Sequence, residues 1–115
     1  MNYLLDTDIC VFIIKGKSPA AMKMVQSKPP EEIAVSAITL AELEYGVLHS
    51  RDRERNRAAL QEFLFPFVIL DFDRSAAAEY GRLRSLVEAG KRPIGPIDLL
   101  LAAQAKSRGL VFVTD

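Results

Sequence analysis

Short apolar runs alternate along the chain with stretches whose apolar positions recur every three or four residues. Asn2 to Leu5 is a short apolar run ending at Asp6, too short for a helix and suited to a buried parallel strand. Ile9 to Ile14 read as a helical turn or two, stopped at Lys15-Gly16-Lys17. Pro19 opens a second helix over Ala20 to Ser27, and Pro29-Pro30 mark its end. A second strand follows at Ile33 to Ser36. The spacing then predicts a helix over Thr39 to Ser50, with Leu40, Leu43, Val47 and Leu48 on one side, and another over Asp52 to Leu64. Phe67 to Leu70 form a third strand. Arg74 to Ala89 place Ala77, Tyr80, Leu83, Leu86 and Val87 on a helical stripe expected to pack in the core, with Gly90 at the C-cap. After a turn over Pro93 to Pro96, a last helix runs from Ile97 to Ser107, and Leu110 to Thr114 form a fourth strand ending at Asp115.

Strands separated by helices imply crossover connections and a mainly parallel sheet covered on both faces, an α/β three-layer sandwich. Ligands in such sheets bind outside the carboxyl ends of the strands. That rule singles out Asp6, Asp71 and Asp115, each at a predicted strand end. With 115 residues the expectation is a single domain over 1–115 that builds a core without staples. One cysteine forms no internal disulfide, and the N-terminus carries no signal-peptide pattern. The longest apolar stretch, Phe63 to Leu70, contains Pro66 and falls far short of the ~20 residues that span a bilayer. A soluble cytoplasmic protein with no membrane partner is therefore expected. Fifteen basic and fifteen acidic side chains give zero net charge, so a polyanion would have to be recognised by local patches or through a metal.

Each acidic position has a plain structural reading. Asp6 or Thr7 would cap the helix that follows. Glu42 lies three residues after Thr39, the spacing of a capping box. Asp98 sits in a first helical turn, where the dipole favours an acid, and Asp115 ends a strand. The predicted fold nonetheless brings these strand ends and helix starts to one rim, and four independent caps need not converge. Two carboxylates ~4 Å apart repel by ~4 kcal/mol at an effective dielectric of ~20. A divalent cation relieves that repulsion, and hard oxygen ligands suit Mg²⁺ or Mn²⁺. Such an ion activates water and neutralises charge on a phosphodiester.

Four stretches, Leu4-Leu5-Asp6-Thr7-Asp8, Ser36-Ala37-Ile38-Thr39-Leu40-Ala41-Glu42-Leu43-Glu44-Tyr45-Gly46, Pro93-Ile94-Gly95-Pro96-Ile97-Asp98 and Val113-Thr114-Asp115, carry a resemblance to the PIN-domain ribonucleases. More narrowly, the chain resembles the VapC toxins of bacterial toxin–antitoxin pairs. The resemblance implies a metal-dependent endoribonuclease that cleaves tRNA or ribosomal RNA and is restrained by a VapB-type antitoxin. It also implies a homodimer. Asp6 and Asp98 match the family's metal ligands, Glu42 its third acid and Asp115 its fourth position; Asp71 has no counterpart. In the implied mechanism Asp6 and Asp98 hold Mg²⁺ or Mn²⁺, Glu42 orients or deprotonates the attacking water, and Asp115 supports a second ion. Family members commonly continue past the position of Asp115 with a loop, a helical turn and an edge strand. The expected sheet therefore lacks its C-terminal edge strand, with Asp115 on a frayed terminus.

The remaining chemistry-bearing residues are mostly read as structural. The run Arg51-Asp52-Arg53-Glu54-Arg55-Asn56-Arg57 alternates in sign and suits a solvated, salt-bridged helix face. Lys15, Lys17, Lys91 and Arg92 are better placed to contact RNA phosphates. His49 is expected at an exposed helix end, and Cys10 as an inert core thiol. Two other readings compete. Asp6-Thr7-Asp8 resembles the strand-end motif of haloacid-dehalogenase-type phosphatases, with Asp6 as nucleophile, yet Cys10 stands where that pattern expects Thr or Val. The other is a catalytically inactive, antitoxin-binding domain that keeps the fold.

Overall fold

Among residues 1–90 and 93–114, which the computed structural model describes, four strands form one sheet in the order β3-β2-β1-β4. These are β1 (Tyr3–Leu5), β2 (Ile33–Ser36), β3 (Val68–Leu70) and β4 (Val111–Val113). Every pairing is parallel, with Leu4 opposite Ala34 on one side and Phe112 on the other, and Val35 opposite Ile69. Helices α1 (Thr7–Ile14) and α2 (Pro19–Gln26) connect β1 to β2, and α3 (Ala37–Leu48) and α4 (Arg53–Leu64) connect β2 to β3. The pair α5 (Arg74–Ala89) and α6 (Pro96–Ser107) carries the chain back across the sheet to β4. Connections thus leave β1 on one side and arrive at β4 on its other side. That reversal puts the topological switch point at the carboxyl end of β1, where Asp6 stands.

The alternation of side chains along each strand divides the core into two faces. Leu5, Ile33, Val35 and Val113 pack with apolar residues of α1 to α4, among them Ile9, Ile13, Leu43, Val47 and Leu60. Leu4, Ala34 and Leu70 turn to the opposite face and meet Ala105 of α6 with Leu110 and Phe112. Helices therefore cover both faces, as the alternating pattern predicts. Cys10 is fully buried in the first core, and burial together with the nearby Asp6 charge pushes its thiol up to about 12. Among the described residues no helix is long and apolar enough to cross a membrane.

Local polar residues start most of the helices. Asp6, Ser18, Ser36, Asp52 and Asp73 each accept a backbone N–H from the first turn of α1, α2, α3, α4 and α5. Helix α6 starts instead on Gly95 with Pro96 in its first position. Two expectations require correction. The helix predicted from Thr39 begins at Ala37, because β2 runs into α3 without a loop and the Ser36 hydroxyl is the first able to accept, at 3.0 Å from the Ile38 nitrogen. Thr39 lies inside α3, so the Thr39–Glu42 capping box is not formed. Nor is the α5 stripe a core seam. Ala76 is the buried residue there, while Ala77 is exposed and Leu86 is 58% exposed. Helix α5 lies chiefly against α6 rather than on the sheet, and a single helix covers only a narrow strip of it.

Candidate active site

Asp6 joins a strand, a helix and the neighbouring strand in one residue. Its N–H donates to the Val113 carbonyl at 2.9 Å, extending the β1–β4 ladder, and its Oδ1 accepts from the Ile9 N–H at 2.7 Å. The cap expected from sequence is present, yet a cap needs no burial, and Asp6 is only 6% exposed. Its neighbour Asp8 is exposed in the first turn of α1. Across the adjoining strand end, Ser36 and Thr39 are both fully buried, and Thr39 Oγ1 lies 3.0 Å from Thr7 Oγ1. Glu42 follows one turn later on α3 and is exposed. Asp6 and Glu42 are thus carried by the segments that leave two adjacent strands at the same, carboxyl end of the sheet.

Asp98 occupies the first turn of α6, exposed, with its Oδ2 turned toward Gly95. Helix α6 touches β1, β4 and α3, the elements around Asp6 and Glu42. Among the described residues no three His, Cys, Asp or Glu side chains are grouped to hold a metal ion. The donor chemistry of Asp6 and Asp98 is nonetheless hard oxygen, and one or two carboxylates are what Mg²⁺ commonly takes from a protein. Asp115, Lys91 and Arg92 lie outside the described residues. At the end of β3 the exposed Asp71 is held through its backbone, since its carbonyl and that of Leu70 both accept from Gln104 Nε2 at 3.1 Å.

Between α1, α3 and α4 opens a cleft of about 880 Å³. Its walls bring together Lys15 and Lys17 from the end of α1 with Glu42 of α3, three of the positions singled out from sequence. Asp6 and Asp98 are not among its lining residues. Arg51 and Arg55 stand on the same cleft, a placement the charge alternation did not reveal. Only part of that run behaves as a salt-bridged face: Arg57 pairs with Glu44 of α3, and Asp52 caps α4. The ion pairs among the described residues include none of Lys15, Lys17, Arg51 or Arg55. His49, exposed at the end of α3, stacks on Tyr45 at 4.0 Å between ring centroids and also lines the cleft. Sequence reasoning missed this basic wall because only the tertiary approach of α1 and α4 assembles it.

The PIN domain family model matches residues 3–115. The chain is 38% identical to the tRNA(fMet)-specific endonuclease VapC of Shigella flexneri, covering 100% of this chain and 86% of that protein. It is 35% identical to Ribonuclease VapC2 of Haemophilus influenzae over the same shares. In structure it is similar to VapBC2 from Rickettsia felis, solved bound to a DNA fragment from its promoter, with a TM-score of 0.92 at 36% identity, covering 99% of this chain and 87% of that one. A second neighbour is the DNA-bound VapBC of Salmonella typhimurium, with a TM-score of 0.90 at 36% identity over 97% of this chain and 84% of that one. These matches set aside the haloacid-dehalogenase reading of Asp6-Thr7-Asp8. A parallel sheet with an acid at its switch point, and a likeness running the length of the chain, make this protein a member of the PIN-domain family, on its VapC branch.

Proposed function

We propose that this protein is the endoribonuclease toxin of a toxin–antitoxin pair, acting in the cytoplasm on RNA, with tRNA as the substrate class. The observation that carries the reading is the likeness over 100% of the chain to a tRNA(fMet)-specific endonuclease. The cleft is consistent with it, because cations that form no ion pair among the described residues flank Glu42 where a phosphodiester backbone would pass. Asp6 and Asp98 would hold a divalent cation, Mg²⁺ or Mn²⁺. When bound, that ion neutralises charge on the phosphodiester and activates water. Glu42 orients the attacking water and accepts its proton, and Asp115 adds a further carboxylate. Lys15 and Lys17, with Lys91 and Arg92, hold the RNA backbone by charge. A VapB-type antitoxin restrains the enzyme, in keeping with neighbours solved as VapBC complexes. A homodimer is formed through apolar surface that includes the exposed Leu86 of α5.

The test compares the wild type with Asp98→Asn on bulk bacterial tRNA in the presence of Mg²⁺ and, separately, Mn²⁺. Wild-type cleavage that falls at least about a hundredfold in the variant supports the assignment. A wild type that cleaves nothing with either ion, while binding its antitoxin, identifies instead a domain that has kept the fold and lost the chemistry.

A further inference from the structure

We infer that the Thr7–Thr39 hydroxyl pair is a positioning device of the active site, holding the helix that bears Glu42 in register with the strand end that bears Asp6; this rests on the ribonuclease reading above. Asp6, Ser36, Thr39 and Gln104 are the buried polar or charged side chains among the described residues. Three of the four stand at the carboxyl ends of β1 and β2 or in the helical turn that follows β2. Two of these have evident local work, since Asp6 caps α1 and Ser36 caps α3. Thr39 caps nothing. Its one side-chain hydrogen bond among the described residues runs to Thr7 across 32 positions of sequence.

A core position has no need of that hydroxyl. Valine fills nearly the same volume, and a buried hydroxyl left unpaired costs ~1–3 kcal/mol. Because Thr39 is 0% exposed, water cannot replace its partner, and the Thr7 hydroxyl at 3.0 Å fills that place, either oxygen being able to donate. Thr7 is only partly buried. Among the described residues this is the one side-chain hydrogen bond between α1 and α3. Apolar contact also joins the two helices through Leu43 and Val47, but such contact tolerates sliding, whereas a hydrogen bond fixes two atoms. Thr7 follows Asp6 directly, and Thr39 precedes Glu42 by one helical turn on α3. A shift of α3 by one residue moves Glu42 by ~1.5 Å along its axis. Misplacement on that scale is enough to lower turnover about a hundredfold.

The experiment uses Thr7→Val, Thr39→Val, the double variant and Thr39→Ser, assayed on a synthetic anticodon stem-loop of initiator tRNA with Mg²⁺. Positioning predicts that each valine variant loses about tenfold or more in kcat with KM within about twofold, and that the double loses no more than either single. Thr39→Ser, which keeps the hydroxyl, restores most of the turnover. A merely structural role would lower the thermal midpoint and leave kcat of the folded fraction unchanged. That result, additive losses in the double variant, or a serine variant as poor as the valine one, overturns the proposal. If the wild type cleaves no RNA, the ribonuclease reading fails, and the thermal shift induced by Mg²⁺ alone becomes the readout. A smaller shift in Thr39→Val than in the wild type and Thr39→Ser supports positioning of the carboxylates, and equal shifts refute it.

Discussion

Asp6 is assigned two roles, and substitution separates them. Its Oδ1 accepts the Ile9 N–H at 2.7 Å, and Ile9 is only 2% exposed, so water is poorly placed to replace the cap. Asp6→Ala loses it. Losing an N-cap costs ~0.5–2 kcal/mol, and burial of the orphaned N–H puts this site at the upper end, ~2 kcal/mol. For a domain of this size that is a fall of roughly 8 °C in thermal midpoint. Asp6→Asn presents an amide oxygen at the same reach and removes a buried charge, so its stability stays within ~0.5 kcal/mol of the wild type or rises. Cleavage is lost in both, because neither side chain supplies a carboxylate for the cation. The Cys10 thiol is raised in part by the Asp6 charge, so its pKa falls in Asp6→Asn. Denaturant titration and RNA cleavage, run on both variants, provide the check. Equal stability of the two variants would refute the cap, and an Asp6→Asn enzyme with undiminished turnover would refute the metal-ligand assignment.

Other outcomes follow from the same geometry. Cys10 is raised from 9.0 to about 12, so the native thiol keeps its proton where the unfolded thiol loses it. Wild-type stability should therefore fall above pH 9 by up to ~1.4 kcal/mol per pH unit relative to Cys10→Ala, measured by urea unfolding; parallel pH profiles would refute this. Gln104 donates to two carbonyls at 3.1 Å while its Oε1 has no hydrogen-bond partner among the described residues. Gln104→Met should lower unfolding stability by ~1–3 kcal/mol, and an unchanged denaturation midpoint would show that the clamp contributes nothing. Replacing Lys15 and Lys17 together by Ala should weaken RNA binding across sequences and flatten its log–log salt dependence by ~1.4, read by fluorescence anisotropy; an unaltered slope would remove both from the RNA path.

Much of the architecture is legible in the sequence because strand and helix periods differ so plainly. The bounds of β2 and α5 match the expectation residue for residue. Asp6 could be read as a strand-end acid because a four-residue apolar run leaves little choice of where the strand stops. The start of α3 was harder, since Ser36 and Thr39 are both good caps three residues apart, and the choice depends on β2 passing into the helix with no loop. Helical periodicity also misjudged α5. The period identifies a face, but only tertiary packing decides whether that face meets the sheet or one neighbouring helix. The basic wall of the cleft was hidden for a similar reason. Arg51 and Arg55 belong to an alternating charge run, and nothing local distinguishes them from Arg57, which finds Glu44 on the next helix.

The strand order also sets a timetable. β1, made first, lies inside the sheet, and its second neighbour is β4, where Tyr3 pairs with Val111. Until β4 leaves the ribosome, β1 has an open edge, the Asp6 N–H lacks its Val113 partner, and Asp98 has only just been made. Synthesis at ~5–20 residues per second separates the two strands by roughly 5–20 s. The strand end that carries Asp6 therefore gains its second neighbour only once β4 has been made, and Asp6 and Asp98 are not held in their final arrangement before then.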